Sequence, residues 1–243
     1  RSVGVPGVLR MLELAHRLWP GAEGWFEDAA FHLRACGHDL RDLIEHVAQI
    51  DFEALPLVST HPAEDSKRKK KGGDPKKILP LFLKEPWRLR LDWWLQGDQA
   101  GPLKLWSAQQ TSAKLFRDMK DAFPGDEIDL FDYECAMTGR YGLDPRSAWE
   151  ALDVGFSPNT QTLPVATHPA VEFLAAIGLQ RFRPMEGRSA ALEYVLWSEP
   201  LPAGVAVAAM AGLVPDGKAR RYHFHIVQRG KFKGFDFATP IGD

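Results

Sequence analysis

Cysteine is nearly missing: Cys36 and Cys135 are the only two in 243 residues. That excludes a disulfide framework. With no secretory apolar segment at the start, it also predicts a reducing, cytoplasmic setting. Long apolar runs are missing too. The longest, "AGVAVAAMAGLV" (203–214), falls short of the ~20 residues needed to cross a bilayer, so no membrane partner is expected and the run reads as a buried strand and turn. Neither sign of charge is in excess, with 30 Lys and Arg against 32 Asp and Glu, so the average charge selects no polyionic partner. There is no GxxxxGK[ST], GxSxG, HExxH or dinucleotide glycine fingerprint, which removes the catalytic classes those motifs mark; neither an enzyme nor a cofactor is expected.

What the chain does contain is apolar material, 45 % of it, enough for a core. The length fits a single α+β unit over 1–243 or two packed halves, 1–140 and 141–243. Its charges are segregated. "KRKKKGGDPKK" (67–77) holds seven basic residues and one acid, within a stretch (59–77) that has no periodicity and reads as a mobile basic loop. Residues 118–134 carry Asp118, Asp121, Asp126, Glu127, Asp129, Asp132 and Glu134 against Lys120 alone. One basic face and one acidic face are expected.

Pro6 opens a helix through Val8, Leu9, Leu12, Leu14 and Leu18, closed by "WPG" (19–21). "AFHLRA" (30–35) alternates as a strand, and "HDLRDLIEHVAQI" (38–50) predicts a helix capped by Asp39. "RLRLDWWL" (88–95) alternates as a strand with one wet face. "THPAVEFLAAIGLQRFRP" (167–184) predicts a helix with Pro169 in its first turn and an end near Gly178, followed by the strand "ALEYVLW" (191–197). The Pro-x-Val start, the Arg before the closing Pro and the following strand occur in both places, the mark of two pseudo-repeated helix–strand halves packed together. Further strands are predicted at 204–209, 221–228 and 231–237, the last two joined at Gly230. Helices and mainly antiparallel strands mix without strict alternation, which is the α+β pattern.

Two adjacent amides, Gln109 and Gln110, stand in "LKLWSAQQTSAKLFRDM" (103–119). Ser107 and Gln110 spell a capping box, which gives Gln110 a structural role. Gln109 falls in the first turn, where unpaired backbone N–H groups can meet a phosphate or a base edge, and Lys114 adds a donor nearby. The segment "GKARRYHFHIVQRGKFKGFDF" (217–237) interleaves Lys218, Arg220, Arg221, Arg229, Lys231 and Lys233 with Tyr222, Phe224, Phe232, Phe235 and Phe237. As a hairpin it would set cations on one face, for phosphates, and rings on the other, for bases or for the core. The loop lysines, Lys67, Arg68, Lys69, Lys70 and Lys71, can attract a polyanion without reading its sequence. His223 and His225 have the spacing of a metal pair but no third ligand at motif distance, so no metal is expected. The acidic run could supply a carboxylate pair for metal-dependent hydrolysis, or serve as a solvated helix end and loop.

The segments "RLDWW", "LKLWSAQQTSAKL" and, above all, "LDVGFSPNTQTLPVATHPAVEFLAAIGLQRFRP" (152–184) resemble the Csb-type subunit of type I-U (I-G) CRISPR systems, a short relative of the Cascade large subunit. The resemblance runs from about residue 11 to the end, interrupted by the lysine loop. It implies a non-catalytic component of an RNA-guided surveillance complex, with target DNA, guide RNA, other Cascade-type subunits and the helicase-nuclease as partners. Such a subunit helps recognise the motif beside the target and leaves sequence discrimination mostly to base pairing, a division of labour shared with another effector class. Under this reading Gln109 and Gln110 become candidates for groove or backbone contacts, and Asn159 and Gln161 in "GFSPNTQT" are a second pair. Two alternatives stay open: a protein-interaction scaffold whose acidic face docks a basic partner within the same assembly, and a metal-dependent nuclease.

Overall fold

Pro6 lies in the first turn of helix α1 (Gly4–Leu18), where its missing N–H costs nothing. Strands β1 (Glu23–Glu27) and β2 (Ala30–Arg34) form a hairpin across a two-residue turn. Helix α2 (Leu40–Ala48) starts at Asp39 as expected. The Asp39 carboxylate accepts from the Arg41 and Asp42 N–H groups while Asp42 accepts from the Asp39 N–H, a reciprocal cap. There follow β3 (Phe52–Ala54), β4 (Leu81–Leu83), β5 (Leu89–Leu91), β6 (Leu95–Gln96) and β7 (Gln99–Ala100), then α3 (Ser112–Asp121) and β8 (Cys135–Met137). The last part comprises β9 (Val165–Thr167), α4 (Pro169–Gly178), β10 (Met185–Glu186), β11 (Leu192–Leu196), β12 (Leu201–Pro202) and α5 (Ala203–Met210). It closes with β13 (Arg220–Phe224), β14 (Ile226–Arg229), β15 (Phe232–Phe235) and β16 (Thr239–Pro240). The computed structural model describes residues 4–56, 78–97, 99–101, 103, 105–106, 110–124, 129–144, 146, 163–229 and 232–242.

The result is an α+β fold in which all the strand pairings among the described residues are antiparallel. The largest sheet runs β10-β11-β13-β16, and two sheets of three strands run β12-β1-β2 and β3-β4-β5. Between the elements lies one continuous core whose centre is the pair α1 and α4. Helix α1 is buried without a break from Gly7 to Ala15, and α4 over all ten of its residues. Burying Val171, Phe173, Leu174 and Ile177 stabilises the fold by ~1.5–3 kcal/mol each. The approach is tight: a Cβ on Gly178 would lie 1.8 Å from the Pro6 carbonyl oxygen. Glycine marks the end of α4 as predicted, but it is needed for this close contact with α1.

Charge is buried along with the apolar groups. Arg10, Arg17 and Arg181 converge on Glu13, whose two oxygens accept four hydrogen bonds of 2.8–3.1 Å. Arg10 also donates to the Ile177 carbonyl at 3.0 Å and Arg17 to that of Trp87 at 2.6 Å, so the cluster ties α1 to the end of α4 and to the turn before β5. Burial pulls the Arg10 guanidinium down to about 10, against the pull of Glu13, and it remains a cation at neutral pH.

Two expectations fail. The run at 203–214 forms helix α5 rather than a strand, and the strand expected at 204–209 does not exist. Alanine is the best helix former, Pro202 sits at the N-cap, and Ala203, Ala206 and Met210 give a helical buried face, whereas an apolar run without alternation carries no strand period. The strand expected at 88–95 covers only Leu89–Leu91. Beyond it the chain turns at Asp92, whose carbonyl accepts from the Leu95 N–H, and sends Trp94 into a cluster with Trp93, Trp106, Phe116 and Tyr141.

Candidate nucleic-acid interface

Of the residues the sequence nominates for nucleic-acid contact, Lys67, Arg68, Lys69, Lys70, Lys71, Gln109, Asn159, Gln161 and Lys231 lie outside the described residues. Ser107 does too, so the capping box assigned to it also falls outside the described residues. Helix α3 begins at Ser112, and Thr111 is its cap, its hydroxyl accepting from the Lys114 N–H at 3.2 Å. Gln110 therefore precedes the helix. Its amide packs over Gly139, where a Cβ would stand 2.7 Å from Nε2, and its Oε1 is shut off from solvent with no partner. A glutamine so placed does not offer both amide atoms to an adenine edge. Lys114 is exposed and paired with Asp118 one turn on.

The C-terminal segment does not form one hairpin with cations opposite rings. Strand β13 pairs with β11 and β16, the chain breaks step at His225, and β14 pairs with β15 instead. Adjacent residues on a strand face opposite ways, so Arg220 and Arg221 diverge. Arg220 reaches Asp28 in the β1–β2 turn at 2.5 Å; Arg221 reaches Glu193 on β11 at 3.3 Å. Both stay about half exposed, at 52 % and 56 %, and such surface pairs contribute ~0–1 kcal/mol. Lys233 is exposed on β15 opposite Gln228, and Arg229 stands opposite Phe232. Tyr222 stacks on Tyr194, its register partner, at 5.5 Å, and Phe224 is buried, so these two rings belong to the fold. His223 and His225, on either side of the break, keep their rings in contact, with centroids 6.0 Å apart. Among the described residues no group of three or more His, Cys, Asp or Glu is placed to hold a metal ion.

What the sequence reading missed is the contribution of the β1–β2 hairpin. Cross-strand partners Trp25 and His32 stack at 5.4 Å, and the Arg34 guanidinium lies 5.6 Å from the Trp25 ring centre. Trp25 also lines a polar cleft of about 410 Å³, with Asp28, Ser198, Lys218 and Arg220. Asp216 braces two of these residues, accepting from the Ser198 hydroxyl at 2.7 Å and from the Lys218 N–H at 3.0 Å. Partial burial pushes the Asp216 carboxyl up, but hydrogen bonds from Ser198, Lys218 and Ala219 outweigh it and hold it below its ordinary value. Lys218, Arg220 and Arg34 with Trp25 thus give one region both cations and an aromatic face. The hairpin's alternation around a two-residue turn was the signal for it.

A second cluster surrounds the start of α4. Glu172, fully buried, accepts from the N–H groups of Tyr141, Gly142, Leu143 and Asp144 at 2.6–2.9 Å. Burial lifts its carboxyl above the ordinary value, opposed by these donors and by the charge of Arg140. Asp144, also fully buried, takes two side-chain nitrogens of Arg146. His168 Nδ1 lies 2.9 Å from Asp144 Oδ2, close enough for an ion pair but outside hydrogen-bond angles. Glu134 and Asp132, from the acidic run, lie 3.8 Å from His168 and Arg146 respectively; Asp126 and Glu127 are outside the described residues. An acid–imidazole pair can activate a nucleophile, yet Cys135 is a poor candidate. It stands opposite Thr167 in the β8–β9 register, and burial, with Glu134 adding to it, raises its thiol. The cluster fastens residues 141–144 to α4.

The chain matches no protein-family model, no curated protein and no solved structure. None of its helices, among the described residues, is long and apolar enough to cross a membrane.

Proposed function

We propose that this chain is a non-catalytic, nucleic-acid-contacting subunit of a type I-U RNA-guided CRISPR surveillance complex, and that the region around the Trp25 cleft is its contact surface. The reading rests on the family resemblance of residues 152–184 and on one observation: Lys218 and Arg220 line a cleft with the half-buried Trp25, and the Arg34 guanidinium lies 5.6 Å from the Trp25 ring centre. Cations of this kind neutralise phosphates, and an aromatic face can stack on a base. The scaffold alternative has less support, because two of the acidic residues it rests on, Asp126 and Glu127, lie outside the described residues.

The test is fluorescence anisotropy of the purified chain on a short labelled duplex and on a labelled single strand, across a salt series. The same series is run on an Arg34→Glu/Lys218→Glu/Arg220→Glu variant whose folding is verified by circular dichroism. The expected result is binding that weakens uniformly across sequences in the variant, with the log–log salt slope reduced by roughly 0.7–0.9 for each phosphate no longer neutralised. Equal affinity and slope in the two proteins would reject this surface.

A further inference from the structure

An open cavity of about 160 Å³ lies between the first turn of α1, the 142–143 loop and strands β11, β13 and β15. Its walls are aromatic: Phe182, Tyr194, Phe224, Phe235 and Phe237. Phe182 meets Tyr194 at 5.6 Å and 66°, and Phe224 meets Phe235 at 5.3 Å and 84°. Phe182 and Phe224 stack at 5.8 Å and 29°, so the rings line the cavity as one aromatic cluster. Phe237 is 45 % exposed. Asp236 supplies the single charge among the lining residues, and its Oδ1 accepts from the Phe237 N–H at 2.7 Å. The volume is close to that of a cavity that takes one six-membered ring, ~150 Å³, so it fits one compact head group.

Ring faces carry partial negative charge, and a carboxylate adds a full one; no lining residue is cationic. A cavity of this electrostatic character attracts a positive group and, being apolar, favours one that is cheap to desolvate. We propose that the cavity binds an alkylated ammonium head group, with the five rings providing cation–π contact and Asp236 the counter-charge. The head group belongs to a free small cation or to a methylated lysine side chain of a partner protein; the chemistry recognised is the same. This site is separate from the Trp25 cleft, and the inference does not depend on the nucleic-acid reading.

Choline and its neutral isostere 3,3-dimethylbutan-1-ol have the same shape and differ by one charge. Titration of the full chain with each, followed by ligand-observed NMR, separates a cation site from a merely apolar cavity. The expected result is that choline binds about tenfold more tightly than the isostere. Asp236→Asn, which keeps the Phe237 N–H acceptor, and Phe237→Ala at the exposed ring should each weaken choline several-fold. Nα-acetyl-trimethyllysine amide identifies the source: tighter binding than choline points to a partner's side chain, weaker binding to a free cation. Equal binding of choline and the isostere would overturn the proposal, as would no binding of choline at millimolar concentration by the folded wild type. The Asp236→Asn variant should leave the salt-dependent anisotropy unchanged, so the failure of one reading is distinguishable from failure of the other.

Discussion

Glu13 and Glu172 occupy the two helices at the centre of the molecule, α1 and α4, and are held in opposite ways. Glu13 is gripped by side chains: burial pushes its carboxyl up, but the Arg181 hydrogen bonds and the charges of Arg10, Arg181 and Arg17 outweigh it and hold the group below its ordinary value. Glu172 is gripped by backbone, four N–H groups of one loop, and there burial prevails and lifts the carboxyl. The first arrangement joins elements through long cations at the edge of the core. The second gives an irregular loop the hydrogen bonds it would otherwise lack inside it, since buried N–H groups without acceptors are costly. The difference shows how a single glutamate can substitute for a strand partner.

Removing the backbone grip should do the most damage. Glu172→Ala leaves four N–H groups without their acceptor, each costing ~1–3 kcal/mol, so a loss of at least about 4 kcal/mol is expected and the melting transition should drop by roughly 8–16 °C or more. A variant that melts within a few degrees of wild type would show that water or another group takes over the loop. The effect of Gly178→Ala comes next. Its Cβ would lie 1.8 Å from the Pro6 carbonyl oxygen, which is backbone and cannot rotate away, so α1 and α4 must separate. A cost of roughly 3 kcal/mol is expected by thermal or urea unfolding, and it should weaken the Arg10 bond to the Ile177 carbonyl at the same interface.

The two grips also differ in how far the sequence discloses them. Arg10, Glu13 and Arg17 stand at helical spacings of three and four, so part of that cluster was legible once α1 was assigned. The Asp39 cap and Pro169 were legible for the same reason, because caps and first-turn prolines act within a few residues. Glu172 gave no signal, since its partners are backbone groups 28 to 31 residues upstream and any residue type carries an N–H. Helix α5 was misjudged because an unbroken run of apolar residues carries no period that tells strand from helix. On the surface, the interleaved cations and rings at 217–237 were legible as composition only. Their faces depended on the break at His225 and on strand pairings made with β11 and β16.

The smallest of these effects, and the one that sharpens the comparison most, is that of Glu13→Gln. The amide keeps one acceptor oxygen and loses the charge, so at neutral pH a loss of about 1.5 kcal/mol is expected, the scale of a hydrogen bond to a charged group. Its pH dependence follows from the depressed carboxyl. Glu13 binds a proton less readily in the folded chain than in the unfolded one, so its stabilisation is complete above the ordinary value of 4.5 and is lost as pH falls through the lower folded value. The gap in melting temperature between wild type and Glu13→Gln should therefore narrow on acidification below about 4.5. Glu172, lifted by burial, has the opposite sign: its contribution is complete below 4.5 and declines as pH rises through its raised folded value. Wild type minus Glu172→Gln should then widen, or hold, over the range in which wild type minus Glu13→Gln narrows. Melting curves of the three proteins across that range decide it. Parallel narrowing of both gaps would mean that the four N–H donors hold Glu172 ionised in the folded chain, and that backbone and guanidinium grip a buried carboxylate alike.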